Sequence, residues 1–138
     1  MKVFVEPMGI APTRAHNTDA GLDLYCIDNK VIPARGSEVF RTGVHIELPK
    51  NTYGKLESKS GLNVAHDIVC CGGTIDEGYA GEIIVKLYNL GDKPYFICRG
   101  DKMCQLIVQP CLYEEVELVD EIDTNTPRGT KGFGSTGR

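Results

Sequence analysis

Short segments that alternate apolar and polar residues recur along almost the whole chain and are separated by turn residues. The clearest covers residues 44–48, where Val44, Ile46 and Leu48 would face a core while the residues between them face solvent. Similar segments follow at spacings of roughly eight to twelve residues, without long helical patterns between them. The sequence therefore predicts an all-β fold of packed antiparallel sheets, with one short helical turn at residues 60–65.

The chain has 138 residues, which is enough for one hydrophobic core but too few to enclose a deep cleft. A binding site shared between copies of the chain is therefore plausible. The net charge of −4 argues against a nucleic-acid partner, which would need a basic face. No stretch approaches about eighteen apolar residues, and residues 1–6 lack the apolar run of a signal peptide. We expect a cytoplasmic protein, or one of the host cytoplasm if its source is viral, without a membrane contact.

The stretch from Gly72 to Gly81 places one acid, Asp76, and one aromatic ring, Tyr79, between glycines. Glycine tolerates positive φ and lets the backbone approach a ligand closely. With apolar Ile75 as an anchor in the core, such a hairpin suits a small flat molecule that carries a hydroxyl group. The alternative is an ordinary β-turn in which the acid and the glycines serve only the turn geometry.

Residues 128–138 are too rich in glycine to pack as a strand and should be mobile alone. They combine the cations Arg128 and Lys131 with hydroxyl groups and the ring of Phe133, which suits a phosphorylated aromatic ligand. The segment is not a P-loop, because Lys131 does not directly precede Ser135 and no helix follows. A disordered tail with incidental glycine and serine is the alternative.

Polar residues also occur at unusual places in three other segments. Asp23 lies at the start of an apolar strand, where a lone carboxylate is costly unless it has a partner. Lys59 and Ser60 bring a cation and a hydroxyl to the start of a helical turn, which attracts anions. Gln105 lies in an otherwise apolar strand. Each also has a structural explanation, as a turn or cap residue or as a tolerated polar side chain.

A strand is also predicted at residues 112–119, within a strongly acidic stretch. Six acids lie between residues 114 and 123 and are interleaved with Val116, Leu118 and other apolar residues. This pattern is typical of an edge strand with its charges outward. The alternative is a strand lent to a neighbouring subunit.

Taken together, five segments in this order resemble the motifs of the deoxyuridine triphosphatase (dUTPase) family. They are residues 20–24, 59–62, 73–81, 100–108 and 128–137. The resemblance covers nearly the whole chain, and the joint order with the terminal Gly-Phe-Gly-Ser-Thr-Gly makes it specific. It implies a distorted jelly-roll or β-clip domain over residues 1–123. It also implies a flexible C-terminal arm, residues 124–138, that closes over the active site.

The family resemblance further implies a homotrimer whose active sites are shared between subunits. Such an enzyme is a dUTP diphosphatase: with Mg²⁺ it hydrolyses dUTP to dUMP and pyrophosphate by water attack on the α-phosphorus. This activity limits uracil incorporation into DNA and supplies dUMP for thymidylate synthesis. Neither nucleic acid nor membrane is an expected partner.

Roles for individual residues follow from the same resemblance. Asp76 would accept a hydrogen bond from the 3′-hydroxyl and orient the attacking water, as a general base must. Tyr79 would lie against the deoxyribose, and Asp23 would hold Mg²⁺ through water. The other implied substrate-binding residues are Lys59, Ser60, Gly61, Gly73, Ile75, Gln105, Arg128, Phe133, Gly134, Ser135 and Thr136.

Within that set, the hairpin around Gly73 would read the uracil edge and Phe133 would stack on the base. Three positions depart from the usual family pattern. Lys59 stands where arginine is usual, which keeps the charge but loses the two-pronged phosphate contact. Gly78 replaces an aspartate and Lys131 replaces a glycine.

Two alternatives stay open. The related dCTP deaminases share the fold, but deamination needs a glutamate at a position that aligns with Lys86, and lysine cannot accept a proton as a carboxylate does. A catalytically silent trimer that binds nucleotide or a protein is the other alternative. The presence of Asp76, Tyr79 and the glycine-rich tail argues against it.

Overall fold

The computed structural model describes residues 1–71 and 73–133, and within them one short helix interrupts a series of antiparallel strands. The all-β prediction is confirmed, including the helical turn that follows residue 59. No helix in these ranges is long and apolar enough to cross a membrane. The elements are β1 (Lys2–Val5), β2 (Leu22–Tyr25), β3 (Lys30–Ile32), β4 (Ser37–Glu47), β5 (Thr52–Ser58), α1 (Ser60–His66), β6 (Ile68–Cys70), β7 (Thr74–Ile75), β8 (Glu82–Asn89), β9 (Tyr95–Ile97) and β10 (Lys102–Pro110).

Two four-stranded sheets make up most of the domain. One has the strand order β1-β4-β8-β6 and the other β2-β10-β5-β7. The short strands β3 and β9 pair separately. All these pairings are antiparallel. Ligand-binding groups in such a fold are carried mainly by the loops and strand ends, which the sheets hold in place.

Apolar side chains from both large sheets meet in one core. Phe40 and Leu87 come from the first sheet, and Leu24 and Leu106 come from the second; all four are buried. Along β8 the buried residues alternate with more exposed ones, as expected for a strand with one face on the core. Burial of each large side chain contributes about 1.5–3 kcal/mol. The core therefore fixes the register on which the site geometry depends.

β4 is one continuous strand, although the sequence predicts separate strands at residues 38–40 and 44–48. Around Gly43 its pairing with β8 shifts register, and Gly43 itself has a φ of 64°. A Cβ atom at this position would lie 2.8 Å from the Cα atom of Gly9. The predicted break is therefore wrong: the interruption is a β-bulge that bends the strand without ending it.

β10 is the last strand of the described residues, and residues 111–133 contain no strand or helix. The strand predicted at residues 112–119 is wrong for the single chain. Val116 and Leu118 are 88% and 92% exposed. A strand needs a neighbour for its backbone N–H and C=O groups, and within the described ranges this segment has none. The predicted boundary after residue 123 stays a prediction.

Candidate active site

The first group of predicted site residues lies where β2, β10 and β5 run side by side. Gln105 of β10 is directly opposite Asp23 of β2, and Ser60 begins α1 just beyond the end of β5. The Gln105 amide donates a hydrogen bond to the carbonyl of Ser58 at 3.4 Å. The first half-site consists of Asp23, Lys59, Ser60, Gly61 and Gln105.

Asp23 is bonded to two lysines. Its Oδ1 atom lies 2.6 Å from the Lys59 ammonium and its Oδ2 atom 2.7 Å from the Lys102 ammonium. Burial raises the pKa of Asp23, but the hydrogen bonds and charges of Lys102 and Lys59 outweigh burial and hold the pKa below its ordinary value. Asp23 is thus a charged carboxylate that fixes two cations beside Gln105.

Lys102 was not among the predicted site residues, although it lies in the segment 100–108. The available signal was Asp23, because an acid at an apolar strand start needs a partner. Sequence alone does not say which cation supplies it. The register of β10 against β2 identifies Lys102 as this cation, since Lys102 pairs with Tyr25, close to Asp23.

Gly21 has a specific steric role in the first half-site. A Cβ atom there would lie 2.7 Å from both Cβ and Oε1 of Gln105. The glycine therefore leaves the space that the Gln105 side chain occupies across the start of β2. Any larger residue would displace the amide.

The second group of predicted residues forms the hairpin between β7 and β8. Gly73 has a φ of 123°, and its carbonyl accepts the Leu56 N–H at 3.0 Å. A Cβ atom on Gly73 would lie 2.9 Å from the Leu56 side chain, so glycine is needed here. Ile75 is buried and pairs with Gly54 of β5. The second half-site consists of Gly73, Ile75, Asp76 and Tyr79.

A cavity of about 180 Å³ opens beside this hairpin. Asp76 and the 44% exposed Tyr79 line it together with apolar side chains of β5 and β8. The Tyr79 N–H donates to the Asp76 carbonyl at 3.0 Å, which closes the turn. The Tyr79 hydroxyl donates to the carbonyl of Glu82 at 2.9 Å. One carboxylate and one ring are therefore held beside a small recess with both apolar and polar lining.

The two half-sites lie apart in one chain. Ile75 pairs with Gly54 of β5, whereas Gln105 pairs with Glu57, about 10 Å further along that strand. β7 and β10 also flank β5 on opposite sides. Because β7 is antiparallel to β5, Asp76 lies on the side of Ile75 away from Glu57. A single chain therefore does not bring Asp76 against the first half-site.

The predicted tail residues lie on the exposed C-terminal segment. Arg128 is exposed and donates from Nε to the Lys131 carbonyl at 3.2 Å. Phe133 is fully exposed. The remaining predicted tail residues, Gly134, Ser135 and Thr136, lie outside the described residues.

Glu82 is a further residue beside the hairpin, and it is not among the predicted site residues. Its carboxylate accepts the backbone N–H of Gly43 at 2.7 Å and that of Thr42 at 3.2 Å, and it lies 2.9 Å from Arg41 Nε. An acid that opens an apolar strand directly after the hairpin was the available signal. Its donors could not be named, because they belong to the bulge of β4.

The carboxylates present suit a metal that keeps its own water ligands. In residues 1–71 and 73–133, no group of three or more His, Cys, Asp or Glu side chains could hold a metal ion. The first half-site instead offers one carboxylate, Asp23, beside cations. Because lysine ammonium groups bond both oxygens of Asp23, a Mg²⁺ ion would take its direct ligands from phosphates and water.

The dUTPase family model matches residues 8–137 of the chain. The deoxyuridine 5′-triphosphate nucleotidohydrolase of Gloeothece citriformis (strain PCC 7424) is 43% identical over 135 residues, which cover 96% of this chain and 92% of that protein. The protein of the same name from Clostridium novyi (strain NT) is 41% identical, and the alignment covers 99% of both chains.

Solved dUTPase structures share the fold. The Staphylococcus bacteriophage 80alpha dUTPase with dUpNHpp matches with a TM-score of 0.89 and 28% identity, over 99% of this chain and 98% of that one. A dUTPase variant from phage phi11 of S. aureus, described with a structural Mg(II) ion, matches with a TM-score of 0.81 and 26% identity, over 87% and 96%. The predicted distorted jelly-roll fold is confirmed. The chain belongs to the dUTPase family.

Proposed function

We propose that this chain is a dUTP diphosphatase, which hydrolyses dUTP to dUMP and pyrophosphate. Family membership over nearly the whole chain supports this activity. The structural observation that carries it is the recess beside the hairpin, with Asp76 and Tyr79 along its wall. A small recess lined by backbone and apolar groups suits a pyrimidine ring, and its polar wall suits a sugar hydroxyl.

The second half-site would bind the nucleoside. Gly73 brings backbone groups within reach of the uracil edge, and Ile75 forms part of the apolar wall. The ring of Tyr79 would lie against the deoxyribose and leave no room for a 2′-hydroxyl. These contacts would select a deoxyuridine nucleotide by shape as well as by hydrogen bonding.

Asp76 would act as the general base. Its carboxylate is exposed beside the recess, so it can accept a hydrogen bond from the 3′-hydroxyl and orient a water molecule. The water oxygen would bond to the α-phosphorus while the bond from that phosphorus to the α,β-bridging oxygen breaks. The water proton would pass to Asp76, and pyrophosphate would leave with the bonding electrons.

The first half-site would bind the triphosphate. Lys59 supplies charge, Ser60 and Gly61 supply donors at the start of α1, and Gln105 supplies an amide N–H. Mg²⁺ is the cofactor, and when bound it offsets negative charge on the phosphates. Asp23 would hold this ion through water, since its carboxylate lies among the phosphate-binding groups.

We infer a homotrimer from the family resemblance, and the separation of the half-sites supports active sites that combine residues from different subunits. The second half-site of one copy would meet the first half-site of its neighbour. The C-terminal arm, residues 124–138, would close over the nucleotide from a further copy, with Phe133 stacking on uracil and Arg128 on the phosphates. Gly134, Ser135 and Thr136 would complete the phosphate contacts.

The exposed segment that leads to the arm also supports association. Leu112, Val116 and Leu118 are each more than four-fifths exposed, and β1 is one of the two edge strands of its sheet. An alternating apolar segment of one copy could pair with an open sheet edge of another, as the strand-lending alternative requires. We place the enzyme in the cytoplasm, where it would lower the dUTP available to DNA synthesis and supply dUMP.

A substrate panel tests this function directly. Pyrophosphate release would be measured with dUTP, dTTP, dCTP and UTP, and ammonia release would be followed in parallel with dCTP. We expect rapid release from dUTP alone. Ammonia from dCTP would favour the deaminase alternative. That reaction needs a glutamate at the position of Lys86, whose ammonium lies 5.1 Å from the Tyr88 ring centroid. Binding of dUTP without products would indicate a silent trimer.

A further inference from the structure

A network of polar contacts holds the chain at the point where the hairpin enters β8. The two oxygens of Glu82 accept hydrogen bonds from the N–H groups of Thr42 and Gly43 and from Arg41. The Glu82 side chain is only 15% exposed. Burial raises the pKa of Glu82, but these donors bring it below its ordinary value. Glu82 is therefore a charged anchor on the bulge of β4.

A second series of polar contacts also joins β4 to the hairpin. Arg41 also donates to Glu6 at 2.9 Å, and Glu6 lies 3.2 Å from Nε2 of His45. The other ring nitrogen of His45 lies 3.0 Å from the carbonyl of Ala80. The last residues of the hairpin are thus tied to β4 through the Glu82 carboxylate and through this histidine.

Tyr79 is in turn oriented by the residues that the network holds. Its hydroxyl donates to the backbone carbonyl of Glu82 at 2.9 Å. Its ring lies over Gly81, where a Cβ atom would clash with the ring and the hydroxyl. The backbone at residues 81 and 82 therefore sets the direction of the ring beside the recess.

We propose that Glu82 is a positioning residue that sets the orientation of Tyr79 and, through it, the discrimination between deoxyribose and ribose. Without the carboxylate, the N–H groups of Thr42 and Gly43 lose their acceptor, and the start of β8 keeps weaker ties to β4, through the Thr42 hydroxyl and His45. The carbonyl that holds the Tyr79 hydroxyl then shifts. This inference rests on the proposed function, because it requires that Tyr79 contacts the sugar.

The test compares kcat/KM for dUTP and for UTP in the full-length enzyme. Glu82→Ala is expected to lower the dUTP-to-UTP ratio about tenfold, the effect of losing one or two buried hydrogen bonds. Tyr79→Phe removes only the hydroxyl and is expected to lower the same ratio. Because both changes act on one contact, the double variant should lose less than the product of the two single effects.

Glu38→Ala is the matched control. Glu38 also lies on β4, where its carboxylate accepts the Val39 N–H at 3.0 Å and a bond from Lys30 at 3.3 Å, without contact to the hairpin. It should lower thermal stability while leaving the substrate ratio unchanged. Glu82→Gln keeps an acceptor for the backbone and should restore part of the ratio. It also gives a test if the Glu82→Ala chain does not fold.

The outcomes separate this inference from the proposed function. If Glu82→Ala and Glu82→Gln both keep the parent ratio, or if the double variant shows the full product of the single effects, the positioning role is wrong. A parent enzyme that releases no pyrophosphate from dUTP would overturn the proposed function, and the positioning role with it. A parent that hydrolyses dUTP but fails the ratio test leaves the function standing and overturns the inference alone.

Discussion

The ammonium of Lys59 lies 2.6 Å from Oδ1 of Asp23, so two residues with different predicted roles toward one ligand are bonded to each other. Lys102 binds the other oxygen of the same carboxylate. A triphosphate carries more negative charge than one carboxylate and would compete for both ammonium groups. We infer that Asp23 holds the two lysines in place until substrate phosphates arrive.

The lowered pKa of Asp23 makes stability depend on pH. Its ordinary value is 3.8, and the folded value lies below that. The unfolded chain therefore binds the proton more tightly, so the stabilisation is present above the ordinary value and is lost as pH falls through the folded pKa. Asp23→Asn should be less stable than the parent by about 1–3 kcal/mol near neutral pH, with a smaller difference in acid.

Urea unfolding of parent and variant near pH 7 and near pH 3 measures this difference. Asp92→Asn is the control, because Asp92 and its partner Arg35 are both largely exposed and their ion pair should contribute little. An unchanged difference between parent and Asp23→Asn at the two pH values would contradict the assignment of a lowered pKa.

Asp76→Asn should nearly abolish turnover while it preserves binding. The amide keeps the size of the side chain but is a poor proton acceptor, so kcat should fall by at least about 100-fold. Pyrophosphate release gives kcat, and calorimetry with a non-hydrolysable dUTP analogue gives affinity. Asp92→Asn should leave both unchanged. Turnover by Asp76→Asn at the parent rate would remove Asp76 from the mechanism.

Deletion of residues 128–138 should leave a folded protein with little activity. Arg128 and Phe133 are exposed, and the hydrogen bond found for the Arg128 side chain stays within the tail, so the thermal midpoint should hardly change. Loss of closure should lower kcat/KM by at least about tenfold. Phe133→Ala should reproduce part of this loss. Normal hydrolysis by the shortened chain would show that the tail is not a lid.

Most of the strands could be predicted from the sequence, because alternation of apolar residues reports which face of a strand is buried. β8 shows this directly, with Ile83, Val85 and Leu87 on the core side. The continuity of β4 could not be predicted, since its bulge depends on the close approach of Gly43 to Gly9. The alternating pattern at residues 112–119 predicts a strand, but a strand also needs a neighbour.

The motif residues predict the candidate ligand contacts, but they do not predict the residues that hold those contacts in place. Lys102 reaches Asp23 through the register of two strands, and Glu82 reaches Gly43 through a bulge. Both relationships join residues far apart in the sequence. They depend on tertiary pairing, which local pattern does not specify.

Complementation between two inactive variants tests the shared active site most directly. One chain carries Asp76→Asn, and the other carries both Ser60→Ala and Gln105→Ala, so each has one intact half-site. Each variant alone should be inactive, because every active site of its homotrimer then contains one altered half-site. In a trimer that contains both chains, about one third of the sites would combine two intact half-sites from neighbouring subunits.

The measurement is dUTP hydrolysis by trimers purified after co-expression, with a different affinity tag on each chain. If the half-sites of different subunits build each active site, trimers that carry both tags should show about one third of the parent kcat. Co-purified mixed trimers with no more activity than either variant alone would contradict a site shared between subunits.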